Sequence, residues 1–142
     1  MKKFFIFFSL LLAGVMSIGD TYAAPLYRTV SFSGKIQGNK QYFFNMQLTF
    51  YDDETVHGSY IVVNGANENV SLKGLYDETN GIIMLYEYDV QGRKTGYYFT
   101  GTCRLIYSEI TYRCIGYILD GRYKKNGTKV NWPFKAESYQ FR

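Results

Sequence analysis

The chain has 142 residues, with 16 Lys plus Arg against 12 Asp plus Glu, one His and two Cys. With the two thiols expected to pair with each other, one imidazole leaves too few nitrogen and sulfur ligands for a zinc centre, and any Ser–His–Asp or Cys–His arrangement would have to use His57. With 46% hydrophobic and 20% charged residues, the chain can bury one core and is not held open by charge.

Residues 1–23 read as a cleaved signal peptide. Lys2 and Lys3 form a basic start, Phe4–Met16 is apolar, and Ser17–Ala23 is small and polar. The apolar run is shorter than the roughly 20 residues that span a bilayer. Cleavage after Ala23 places Thr21 and Ala23 at the two small-residue positions. The expectation is one domain over 24–142, periplasmic or secreted, with no transmembrane segment. Losing Lys2, Lys3 and Asp20 takes the net charge from +4 to +3. That is too little for a nucleic-acid binder.

The rest of the chain alternates Tyr, Phe, Val, Ile and Thr with recurrent Gly, a pattern of strands. Strands are predicted over 26–36, 41–51, 55–63, 70–76, 82–90, 93–107, 110–120 and 129–139, separated by turn-forming clusters such as Asp52-Asp53-Glu54, Asn64-Gly65, Gln91-Gly92 and Asn126-Gly127. In the second strand, Tyr42, Phe44, Met46, Leu48 and Phe50 share the apolar face. In the fifth, Ile82, Met84, Tyr86 and Tyr88 are assigned to the core side, with Glu87 and Asp89 on the solvated one. Short connections favour sequential pairing, so the predicted fold is all-β: a single-domain antiparallel up-and-down meander of about eight strands closed into a barrel, with a β-sandwich as the alternative.

Two hairpin registers follow. With Gln91-Gly92 as a two-residue loop, Asp89 faces Lys94, Tyr86 faces Tyr97 and Met84 faces Phe99. With Ser108-Glu109 as the next loop, Cys103 stands opposite Cys114, and Arg104 neighbours Arg113 on the other face. An oxidising compartment would then link the two cysteines.

The stretch Gln47-Leu48-Thr49-Phe50 through Val56-His57-Gly58-Ser59-Tyr60, followed by Lys94-Thr95-Gly96-Tyr97-Tyr98, resembles the strand, turn and Gly-Thr-Tyr-like pattern of avidin-type barrels in the calycin group, which also includes lipocalins. The resemblance covers about half of residues 24–142 and implies an eight-stranded barrel. The ligand-stacking tryptophans of avidins and the Gly-x-Trp of lipocalins are absent, so it implies no ligand.

No residue is assigned a catalytic role, and no metal or cofactor is expected. Sorting loops by end gives one rim with Lys40, Arg93, Arg122, Lys124 and Lys125, near Asn64 and Asn67, against Glu68. The opposite rim collects Asp52, Asp53, Glu54, Asp77, Glu78 and Glu109. The binding site is placed on the basic rim (Arg93, Arg122, Lys124, Lys125, Asn64, Asn67), with the acidic rim (Asp52, Asp53, Glu54, Asp77, Glu78) as the alternative. The expected function is an exported non-enzymatic binding protein of the bacterial envelope, of inhibitor or immunity type, presenting a rim to a macromolecular partner that an anionic surface would suit. A carrier of a small apolar ligand inside the barrel is the second reading. A small hydrolase or isomerase is the third, and it requires Glu87 in a pocket beside another acid.

Overall fold

The computed structural model describes residues 27–139. The leader reading of residues 1–23 and the predicted strand start at residue 26 lie outside them. The described residues form eight strands and no helix: β1 (Tyr27–Gln37), β2 (Gln41–Tyr51), β3 (Thr55–Val62), β4 (Asn69–Asp77), β5 (Ile82–Tyr88), β6 (Lys94–Tyr107), β7 (Cys114–Lys125) and β8 (Asn131–Tyr139). Each pairs antiparallel with its sequence neighbour, and β8 returns to β1 through Ser33–Glu137 to Ile36–Phe134. The sheet is therefore a closed up-and-down barrel without a free edge.

Alternation fills the interior. Val30, Phe32 and Ile36 of β1 are buried, as are Phe44, Met46, Leu48 and Phe50 of β2, with Leu72, Leu85, Leu119 and Phe134 from the other walls. Burying each such side chain contributes about 1.5–3 kcal/mol. Phe99 sits at the centre, its ring 5.1 Å from Tyr60, 4.8 Å from Tyr123 and 5.0 Å from Phe134. The wall tightens where Gly101 pairs with Gly121. A Cβ at Gly101 would lie 1.9 Å from the Asp120 carbonyl oxygen, so any side chain there would push β6 and β7 apart.

Three registers differ from the sequence reading. In β5 the phase is inverted: Ile83, Leu85 and Glu87 are buried, whereas Ile82, Met84, Tyr86 and Tyr88 lie on the outer wall. Glu87 is not a solvated surface residue. Between β5 and β6 the pairing slips around Glu87, from Tyr86–Tyr98 to Tyr88–Lys94. The extra residues on β6 form a bulge around Gly96, whose φ is +97°. Leu85 therefore faces Phe99, Met84 faces Thr100, and Tyr86 faces Tyr98 rather than Tyr97. Asp89 falls in the loop and binds Arg93 instead of facing Lys94.

The third difference removes the disulfide. The β6–β7 connection spans residues 108–113 and closes through hydrogen bonds from Ser108 N to Arg113 O and from Tyr112 N to Ser108 O, both 2.9 Å. This wider loop starts β7 at Cys114 rather than at residue 110. Cys103 then faces Leu119, and Cys114 faces Tyr107. Cys103 and Tyr107 are four residues apart, about 13 Å along a strand, roughly twice the Cα separation a disulfide tolerates. Both cysteines are free. Arg104 likewise faces Ile118, not Arg113, and forms an ion pair with Asp120 at 3.4 Å.

Candidate functional site

The loops after β1, β3, β5 and β7 gather at one end of the barrel, and those after β2, β4 and β6 at the other. The first is lysine-rich, and there the barrel opens into a cavity of about 320 Å³. Its walls are aromatic. Tyr42 and Trp132 stack with centroids 6.1 Å apart, and Tyr97 stacks on Tyr123 at 5.3 Å. The loop Gly65–Glu68 completes the rim, and Tyr60 and Tyr123 form the floor. Larger hollows of about 480 and 490 Å³ lie on the outer wall, beside Gly34 and beside Thr29, without convergent aromatic groups.

Beneath the floor is Glu87, 7% exposed. Its Oε2 accepts hydrogen bonds from the Tyr60 hydroxyl at 2.5 Å and the Tyr123 hydroxyl at 3.2 Å, and its Oε1 accepts one from the Thr95 hydroxyl at 3.1 Å. The bulge makes this possible. Thr95 turns inward to the carboxylate, Tyr97 N donates to the Thr95 hydroxyl oxygen, and Gly96 O accepts from Asn126 N. Among the described residues no cation lies within ion-pair distance of Glu87. Burial, reinforced by the neighbouring phenol and carboxylate, holds the Tyr60 hydroxyl far above the ordinary tyrosine range. Burial and Glu87 do the same for Tyr123. Both phenols keep their protons.

Of the predicted basic-rim residues, Asn67 lines the mouth and Lys125 stands beside it over a lining ring. The Lys125 ammonium stands 4.8 Å above the Tyr97 ring, and Asn67 lines the cavity with φ +60°. Lys40 sits similarly, 5.2 Å above Tyr42. Arg122 and Lys124 alternate with inward Tyr123 and belong to the outer wall. Arg93 is exposed and pairs with Asp89 at 3.3 Å. Asn64 is a clasp: its side chain accepts from Phe43 N and donates to Gln41 O, fastening the β3–β4 loop to β2.

The acidic rim is built from turns. Asp53 accepts from Thr55 N and from the Thr55 hydroxyl, which hold its carboxyl below the usual range. Asp77 accepts from Thr79 N, and Glu54 adopts φ +73°. Asp52, Glu54 and Glu78 border a cleft of about 290 Å³. Arg28, exposed on the border of the same cleft, lies 5.5 Å above both the Phe50 and Tyr117 rings. No cluster of metal-ligating side chains occurs among the described residues. His57 is exposed and meets Tyr51 edge-on.

Sequence reasoning missed Tyr42, Tyr60, Glu87, Thr95, Tyr97, Tyr123 and Trp132 as one site. Two signals pointed there: Trp132 is the only tryptophan, and Gly96 interrupts a strand, where glycine marks a bulge. No family model matches the chain, and neither the curated proteins nor the solved structures yield a significant match.

Proposed function

We propose that the chain is an exported, non-enzymatic binding protein that receives a group of its partner in the aromatic mouth at the lysine-rich end. The observation that carries this reading is the convergence of five aromatic side chains from β2, β3, β6, β7 and β8 on a cavity floored by hydroxyls over a buried carboxylate. A concave, mostly apolar site with a few oriented polar groups is how proteins hold ligands. The interior below Tyr60 and Tyr123 is filled with side chains, so a ligand is held at the mouth rather than carried inside. Glu87 is bonded to phenols and a threonine, not to a second acid, which disfavours acid–base hydrolysis. Export rests on the leader pattern of residues 1–23.

Affinity capture from envelope extract tests the reading. The wild-type protein should retain a partner that folded Trp132→Ala and Tyr42→Ala variants lose. Adding the retained partner should also change the emission of Trp132, the sole tryptophan. Undiminished capture by both variants would place the site elsewhere.

A further inference from the structure

Resting on the mouth as the binding site, we infer that it is built for a zwitterion: an ammonium group at the floor and a carboxylate at the rim, joined by a short alkyl stem. The argument starts from hydrogens. A phenol carries one. The Tyr60 and Tyr123 hydroxyls both point at Glu87 Oε2, and their own contact is 3.2 Å. Whichever phenol donates to the other, both hydrogens stay inside the cluster. The floor therefore offers acceptor oxygens, polarised by a carboxylate directly behind them.

Among the described residues no cationic side chain stands beside the Glu87 carboxyl. Glu87 is 7% exposed and its hydrogen-bond partners Tyr60, Tyr123 and Thr95 are neutral, so a charged carboxylate there would gain from a cation. A ligand ammonium on the floor would supply that charge, bonding the phenol oxygens. The aromatic faces above suit it twice over, attracting cations and covering an alkyl stem. The Lys40 and Lys125 ammonium groups already lie over Tyr42 and Tyr97.

The rim has the opposite chemistry. Lys40 and Lys125, set over the Tyr42 and Tyr97 rings that line the cavity, are donors only, and Glu68, the charged side chain in the lining itself, is exposed on the 65–68 loop. A carboxylate at the floor would meet acceptor oxygens; an ammonium on the Tyr42 and Tyr97 side of the rim would meet lysines. This polarity orients the ligand, cation first. A free ω-amino acid and the C-terminal lysine of a polypeptide share the required chemistry.

The test uses Trp132 emission and calorimetry on the protein covering residues 24–142, with ε-aminocaproate, hexylamine, hexanoate and hexanol as probes. ε-Aminocaproate should bind tightest. Glu87→Gln should weaken ε-aminocaproate and hexylamine by about tenfold or more, the worth of one charge-assisted interaction, and spare hexanoate. The double variant Lys40→Gln, Lys125→Gln alters only exposed or half-buried rim positions and keeps the test available if Glu87→Gln does not fold. It should weaken ε-aminocaproate and hexanoate while sparing hexylamine. A peptide ending in a free lysine, compared with its amidated form, tells a chain terminus from a free amino acid. Hexanoate or hexanol binding as tightly as ε-aminocaproate would overturn the charge assignment and leave the mouth as the site. No binding by any probe, with capture still dependent on Trp132, would overturn the ligand class alone. Loss of that dependence too would remove the mouth reading.

Discussion

Cys103 faces the core of β6, and burial pushes its thiol up to about 11. Only the thiolate is a good nucleophile, so this side chain is both unreachable and protonated. Cys114, at the start of β7, is half-buried with its Sγ 3.4 Å from Gly116 O. Alkylation of the native protein at about pH 8 should modify Cys114 first and Cys103 only after denaturant is added. If neither reacts until a reductant is supplied, the two are linked and the β6–β7 register is wrong. Compartment chemistry argued for that link, but two cysteines pair only if the loop between them sets the register, and Ser108-Glu109 lacks the residues of a tight primed turn. Glu87 was hidden for a related reason. Its partners Tyr60, Thr95 and Tyr123 lie 27, 8 and 36 residues away, so nothing beside it in the chain announces that burial will be satisfied.

Where one strand face is plainly apolar and the other polar, as in β2, alternation fixes the facing. In β5, Ile82-Ile83-Met84-Leu85-Tyr86 is apolar in both phases, and the choice falls on whichever phase avoids burying Glu87. The barrel chose the other phase because hydroxyls from three strands meet the carboxylate. The β6–β7 hairpin shows the converse limit. β6 runs on past its pairing with β5 beyond Thr102, and the hairpin presents Leu105, Tyr107, Ile110 and Tyr112 exposed. At its tip Tyr112 adopts φ +58° and is 80% exposed, so a bulky residue holds the left-handed conformation that glycine adopts freely. Tyr112→Gly should therefore leave stability unchanged or raise it by about 0.5–1 kcal/mol, read from the midpoint of urea denaturation. A loss above about 1 kcal/mol would mean that the ring packs against the hairpin.

The eight-strand count, the meander and the grouping of loops by end all follow from turn spacing, because short connections leave few other topologies. The chemistry of each end does not, since it depends on which side chains turn inward at the last residues of a strand. At the acidic end, Arg28 lies over the Phe50 and Tyr117 rings while remaining exposed, and Asp53 and Asp77 shape their own turns. At the other end, Lys125 turns in over Tyr97 while Lys124 and Arg122 stay on the wall. The positive end should thus act in two ways. Lys40 and Lys125, over the lining rings of Tyr42 and Tyr97, are placed to meet a group in the mouth, and Arg122 and Lys124 on the outer wall to add only a long-range field. Exposed charges act through salt solution over about 8 Å at physiological ionic strength, so the field speeds encounter without holding the complex. Arg122→Gln with Lys124→Gln should slow association with the captured partner and flatten its salt dependence, with little change in dissociation, in stopped-flow measurements at two ionic strengths. Lys125→Gln should raise the dissociation rate as well. Were Asp52→Asn with Glu54→Gln and Glu78→Gln to slow association instead, the partner would be cationic and would meet the barrel at the acidic end, beside the cleft that Asp52, Glu54 and Glu78 border.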